Sequence, residues 1–207
     1  MIDVSDVVVK AYEGQNIHNE FYKQSEKNSA LVVIFPGGDN SRDKPLMYYA
    51  RKAAVIAGHD VLCLSYGRKE PVKGLVDSLE VETNECFEAV RKCLSDNYKK
   101  IYFISKSLGT GVAGRISKEL GYEKINNIFL TPTNKALSHI TNSKCKVIIG
   151  SKDKVFSEEN LDIIKKHSNV ELFLIEGANH SLELDNDLEG SLKILNQVTD
   201  IYIKLLI

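Results

Sequence analysis

From Leu31 onward, short runs of apolar, largely β-branched residues alternate with longer stretches whose apolar positions recur every three or four residues. Runs of the first kind read as strands buried on both faces, and stretches of the second kind as helices packed on one side. The pattern predicts strands over residues 31–35, 61–64, 101–105, 127–131, 146–149 and 170–175. Helices are predicted over 45–57, 78–97, 108–120 and 158–167, and a last one over 188–206, where Leu188, Leu192, Leu195 and Val198 repeat at helical spacing. Strict alternation of this kind predicts an α/β fold, a mostly parallel sheet with helices on both faces. Upstream, residues 4–12 and a piece around 19–23 alternate as an antiparallel hairpin does, which places them at one edge of the sheet. No internal repeat or linker-like stretch interrupts the pattern, so residues 1–207 are expected to form a single domain.

Chemistry enters at the ends of the predicted strands. The run Ile101-Tyr102-Phe103-Ile104 leads into Ser105-Lys106-Ser107-Leu108-Gly109, and a helix rich in small residues follows. A serine on a sharp strand-to-helix turn needs small neighbours two positions before and two after it, because the chain doubles back there. Ser105 and Gly109 meet that need, with Ser105 standing where the G-x-S-x-G pattern has its first glycine. Ser107 is therefore the candidate nucleophile, and Ser105 competes for the same turn.

A serine nucleophile needs a histidine base and a carboxylate that fixes the histidine's tautomer. Val147-Ile148-Ile149-Gly150-Ser151-Lys152-Asp153 is a buried strand followed by glycine and an acid. Leu172-Phe173-Leu174-Ile175-Glu176-Gly177-Ala178-Asn179-His180 is a strand followed by a glycine-led loop that carries a histidine. The order Ser107, Asp153, His180 is that of hydrolases built on such an elbow. Glu176 rivals Asp153 for the acid, although it lies only four residues before His180. The other histidines are less suited: His18, His59 and His139 precede Asp153, and His167 falls late in a predicted helix.

A fourth component follows the first predicted strand of the alternating region. Pro36-Gly37-Gly38-Asp39 comes directly after Leu31-Val32-Val33-Ile34-Phe35, and glycines there let backbone N–H groups approach a substrate. The expected oxyanion donors are the N–H of Leu108 and one from this loop, Gly38 first and Gly37 as the alternative. On these residues the chain resembles the α/β-hydrolase superfamily, in particular its small, lidless, dienelactone-hydrolase-like bacterial members. It departs from them at Ser105, and at Pro36, where many relatives carry histidine. The resemblance implies a serine hydrolase, carboxylesterase-like, acting on a small soluble ester, thioester or related acyl substrate. An acyltransferase or peptidase would use the same residues, and a non-catalytic ligand-binding member of the fold would not need them. In this superfamily a cap commonly inserts after the strand that here ends near Thr131. Only residues 132–144 separate it from the next strand, room for one short helix near 135–140 and no cap, which predicts a shallow cleft with little apolar surface.

Composition narrows the class without changing it. The 207 residues carry 27 Lys and Arg against 28 Asp and Glu, a net charge of −1, so no global field draws the chain to nucleic acid or to an anionic membrane. The first residues lack a basic segment with an apolar core, and the four cysteines fall in apolar runs or on an apolar helix face. Both point to a cytoplasmic protein with reduced, structural cysteines. No Cys/His spacing suggests a metal site, and no cofactor is expected. Lys106, Arg68, Lys135 and Lys152 lie at or beside strand ends on the catalytic edge, where a cationic rim would favour an anionic substrate; Tyr66 ends a strand there as well. Of these, Tyr66, Arg68 and Lys106 are the candidate substrate-binding residues, and the sequence leaves the oligomeric state open.

Overall fold

The structure, a computed structural model, describes residues 2–25, 30–39, 42–67, 78–95 and 98–206. Eight strands form one sheet in the order β1-β2-β4-β3-β5-β6-β7-β8. The strands are β1 (Ile2–Lys10), β2 (Asn16–Gln24), β3 (Ala30–Phe35), β4 (Asp60–Cys63), β5 (Lys100–Ser107), β6 (Ile125–Pro132), β7 (Cys145–Gly150) and β8 (Val170–Ile175). From β4 to β8 all neighbours are parallel, while β1 and β2 pair antiparallel with each other and β2 antiparallel with β4. The helices are α1 (Pro45–Ile56), α2 (Ser78–Cys93), α3 (Leu108–Leu120), α4 (Leu137–Asn142), α5 (Glu158–Lys165) and α6 (Leu188–Leu206). The hairpin and all six predicted strands are present. Differences lie at element ends: β5 runs on to Ser107 itself, α2 stops at Cys93, and the predicted end of that helix at 96–97 lies outside the described residues.

Alternation along each strand sorts the core into two layers. Val32, Ile34, Ile104, Ile128 and Ile148 pack against α1 and α6, through Met47, Ala50, Val198 and Tyr202 among others. Leu31, Val33, Phe35 and Phe103 point the other way, onto α2 and α3. Phe129, Val147 and Ile149 continue that second face under α4 and α5. These strands read as unbroken apolar runs because both faces are covered. The cysteines belong to this packing: all four are free and buried, and burial pushes the Cys63 thiol up to about 12.

The strand order fixes where a ligand can sit. From β3 the chain moves outward through α1 to β4, then returns across β3 to reach β5 and continues the other way. The reversal leaves a crevice between the carboxyl ends of β3 and β5, the position at which open α/β sheets bind ligands. Phe35 pairs with Ser105 at that end of the sheet, so Pro36-Gly37-Gly38 and Ser107 emerge side by side. Between β6 and β7 the chain forms only a short 3-10 turn, Asn134–Ala136, and α4, which leaves no place there for a cap. Among the described residues no helix is long and apolar enough to cross a membrane.

Candidate active site

Ser107 closes β5 and stands immediately before α3, with φ 51° and ψ −119°. A non-glycine residue in that region is strained, and such strain persists only where the surroundings over-determine it. Two contacts do so here. The Thr110 hydroxyl donates to the Ser107 carbonyl at 2.6 Å and itself accepts from the Thr133 amide at 3.3 Å, tying the elbow to the end of β6. At Gly109 the start of α3 presses so closely on β3 that a Cβ would stand 2.4 Å from the Pro36 carbonyl oxygen. Only glycine lets the helix N-terminus, with its partial positive charge, approach the loop that strictly. Ser105, by contrast, is fully buried, and its hydroxyl reaches only the Ile128 carbonyl at 3.4 Å, so it does not share the exposed turn.

His180 and Asp153 come from the ends of β8 and β7. The Ser107 Oγ lies 2.9 Å from His180 Nε2, and His180 Nδ1 lies 2.8 and 2.9 Å from the two oxygens of Asp153. A carboxylate only accepts hydrogen bonds, so the Nδ1 proton belongs to His180 and Nε2 is left as the acceptor for the serine O–H. The Asp153 side chain is 0% exposed, whereas that of His180 is 27% exposed. The carboxylate is thus held dry while the imidazole remains accessible. Glu176 is exposed at the mouth of the same loop and the Nδ1 position is taken by Asp153, which separates the two acids.

The two loops are joined by backbone. Ser151 and Lys152 amides donate to the Ile175 and Ala178 carbonyls at 2.9 Å each, and the Gly177 amide donates to Ser151 Oγ at 2.8 Å. A Cβ on Gly150 would stand 2.0 Å from the Ala178 oxygen, so this glycine is what allows the strands to converge enough for Asp153 to reach His180. Asn179 then shapes the histidine turn. Its Oδ1 accepts from the Ser181 and Glu183 amides at 2.8 and 3.2 Å, and its Nδ2 donates to Asp185 at 3.1 Å. An Asn bonding the amide two residues on is a recognised turn-former, and its place directly before His180 is the sequence signal for this turn.

The glycine loop sits over the elbow. Cβ atoms placed on Gly37 and Gly38 would lie 3.7 Å from Ser107 Cβ and 3.5 Å from Leu108 Cδ1. Neither glycine has a positive φ, so the backbone conformation does not itself demand glycine at either position. Tyr66 needs correcting. It is buried and does not line the cleft; its hydroxyl donates to the Pro36 carbonyl at 2.7 Å, beneath the loop. Burial raises this phenol well above its ordinary value, with Cys86 and Glu82 adding to the effect, so it stays a donor. A planar peptide held at its oxygen is also held at its N–H. Tyr66→Phe removes the bond to the Pro36 carbonyl and is therefore expected to cost about 1 kcal/mol of stability, which denaturant unfolding checks.

The cleft around Ser107 encloses about 680 Å³. Lys106 lines it, and its ammonium reaches the His180 carbonyl at 3.4 Å. Burial holds Lys106 below its ordinary value, opposed by Asp39 and reinforced by Lys44. Among the described residues the expected cationic rim is not assembled, since Lys135 lines a separate groove and Lys152 lies outside the cleft; Arg68 lies outside the described residues. Lys106 and Lys44 instead share the cleft with Asp39 and Glu183, and Lys44 is ion-paired to Asp39. The cleft is also less bare than a capless fold suggests, because α6 and α1 supply leucines and a methionine to its walls.

Three of the other histidines have partners away from the cleft. His59 meets the Leu206 carbonyl at 2.7 Å and His18 meets Asp6 at 2.9 Å. His139 takes the Tyr122 hydroxyl at 2.7 Å, and burial, with Arg115 and Lys118 nearby, pushes it down to about 4. Among the described residues no group of three His, Cys, Asp or Glu side chains is placed to hold a metal ion.

No family model matches the chain, and no curated protein matches it in sequence. Solved structures do match in shape. A dienelactone hydrolase from Anabaena variabilis is 16% identical with a TM-score of 0.72, each chain covered to 98%. An α/β serine hydrolase homologue from Coxiella burnetii is 14% identical with a TM-score of 0.71, covering 98% of this chain and 97% of its own. An α/β serine hydrolase without a lid from Xanthomonas campestris is 13% identical with a TM-score of 0.67, covering 97% of this chain and 92% of its own.

Proposed function

We propose that this chain, which has the α/β-hydrolase fold of those structures, is a serine hydrolase that cleaves a small acyl ester or thioester through an acyl-enzyme on Ser107. The observation that carries the reading is the continuous hydrogen-bonded chain from Ser107 Oγ through His180 to the buried Asp153. In this reading Ser107 Oγ attacks the substrate carbonyl carbon while its proton passes to His180 Nε2. The carbonyl π bond opens to an oxyanion, which the Leu108 N–H and a glycine-loop N–H, Gly38 or Gly37, receive at the positive end of α3. Collapse re-forms the carbonyl and breaks the bond to the leaving group, which takes the proton from His180. Water, deprotonated by His180, then attacks the acyl-enzyme, and the carboxylic acid leaves as Ser107 recovers its proton. Side chains and backbone supply every group these steps use, with a small-molecule substrate as the partner.

A fluorophosphonate probe tests this directly, since it phosphonylates only a serine whose proton is being removed. Peptide mapping is expected to find the adduct on Ser107. An adduct on Ser105, or none on protein that is folded by circular dichroism, overturns the assignment.

A further inference from the structure

We infer that the cleft seats one apolar arm of the ester substrate against the first two turns of α6, an inference that rests on the hydrolase reading of Ser107. The core face of α6 is carried by Ile194, Val198, Ile201, Tyr202 and Leu206. Leu188 and Leu192 lie off that face, 77% and 57% exposed. A surface helix ordinarily carries polar residues at such positions. With Leu195 they repeat at four and three residues, and all three line the cavity that holds Ser107 and His180. Leu46, Met47 and Leu182 line it too, each buried and therefore fixed in place.

The polar groups of the cavity do not contest this reading. Ser191, set among the leucines, spends its hydroxyl on the helix start: it donates to the Asp187 carbonyl at 2.7 Å and accepts from the Leu184 amide at 2.9 Å. Lys44 is paired with Asp39, and Lys106 shares the cleft with Glu183, so the walls carry as many acids as bases. Charge gives no preference for an ionic substrate, whereas the exposed leucines gain from being covered. At about 680 Å³ the space lies within the ~300–1,000 Å³ range of small-molecule sites.

Two ester series identify the arm. One lengthens the acyl chain, from nitrophenyl acetate to octanoate; the other lengthens the alcohol of simple acetates, with acid release followed by titration. All substrates are kept below their micelle threshold. In wild-type protein one series is expected to gain about fourfold in kcat/KM per added methylene over its first members. The double variant Leu188→Ser, Leu192→Ser is expected to cut the long-to-short ratio of that series at least tenfold. Ile56→Ser, at a comparably exposed position on the far end of α1, should leave the ratio as it is. Flat profiles in both wild-type series, or an undiminished ratio in the double variant, overturn the inference while leaving the hydrolase reading intact. Failure of wild-type protein to hydrolyse any ester, with no probe adduct at Ser107, overturns both.

Discussion

Ser107→Ala is expected to lower kcat on an activated ester by about 10⁶, the scale seen when a hydrolytic triad loses its nucleophile. The loss should fall on kcat and leave binding largely in place, because the cleft walls and the glycine loop are untouched. A residual rate above that in water is expected, since backbone donors and substrate positioning do not depend on the hydroxyl. The substitution also relieves nothing in the backbone. Alanine, like serine, has a Cβ and must hold φ at 51°, and the Thr110 and Gly109 contacts that impose this conformation remain. Stability should therefore change little, and unfolding by heat checks it. Single-turnover kinetics and substrate binding in the variant separate the two effects. A fall in activity matched by a fall in folded protein would contradict the assignment, as would residual hydrolysis within tenfold of wild type.

How much of this was legible in the residues follows from what each residue depends on. Strands buried on both faces announce themselves as apolar runs, so β3 to β7 were readable to within a few residues; β8, at the sheet edge and only partly buried, was readable because its apolar residues still form a run. That Ser107, Asp153 and His180 lie at neighbouring strand ends was readable because each follows an apolar run among small residues, and chain order suggested the roles proposed for them. The convergence of the loops was not. It depends on the contact between Gly150 and Ala178 and on the Ser151 bond to Gly177, pairings across two strands that local pattern cannot express. Tyr66 was misplaced for a related reason. Ending a strand at the catalytic edge fixes its height in the sheet, yet whether it faces the cleft or the layer beneath depends on α2 packing against the second face. For the α6 leucines, helical spacing records a shared stripe without saying what covers it. Leu195 and Val198 lie on or beside the buried face, while Leu188 and Leu192 open into the cleft.

Asp153→Asn is expected to reduce kcat by about 10⁴ with the fold intact, and the local bonding says why the isosteric change is so costly. Asp153 Oδ1 accepts from the Val155 amide at 2.9 Å, an Asx turn that holds the side chain in place. Asparagine keeps that bond only through its carbonyl oxygen, which turns its NH₂ toward His180 Nδ1. A donor at the nearer of the two positions, 2.8 Å from Nδ1, favours the neutral imidazole that carries its proton on Nε2. Nε2 would then donate toward Ser107, where catalysis needs it to accept, and the serine proton has no destination. The imidazolium that forms during attack also loses its buried counter-charge. Because Asp153 is enclosed and the turn bond survives, the unfolding midpoint should stay near wild type while kcat collapses. Glu176→Gln supplies the contrast: the side chain is exposed and stands apart from the Nδ1 bond, so near wild-type activity is expected. Near-normal turnover in Asp153→Asn alongside collapse in Glu176→Gln would transfer the acid role. Loss in the first variant alone, measured as kcat on a short-chain ester, is the result the bonding of His180 requires.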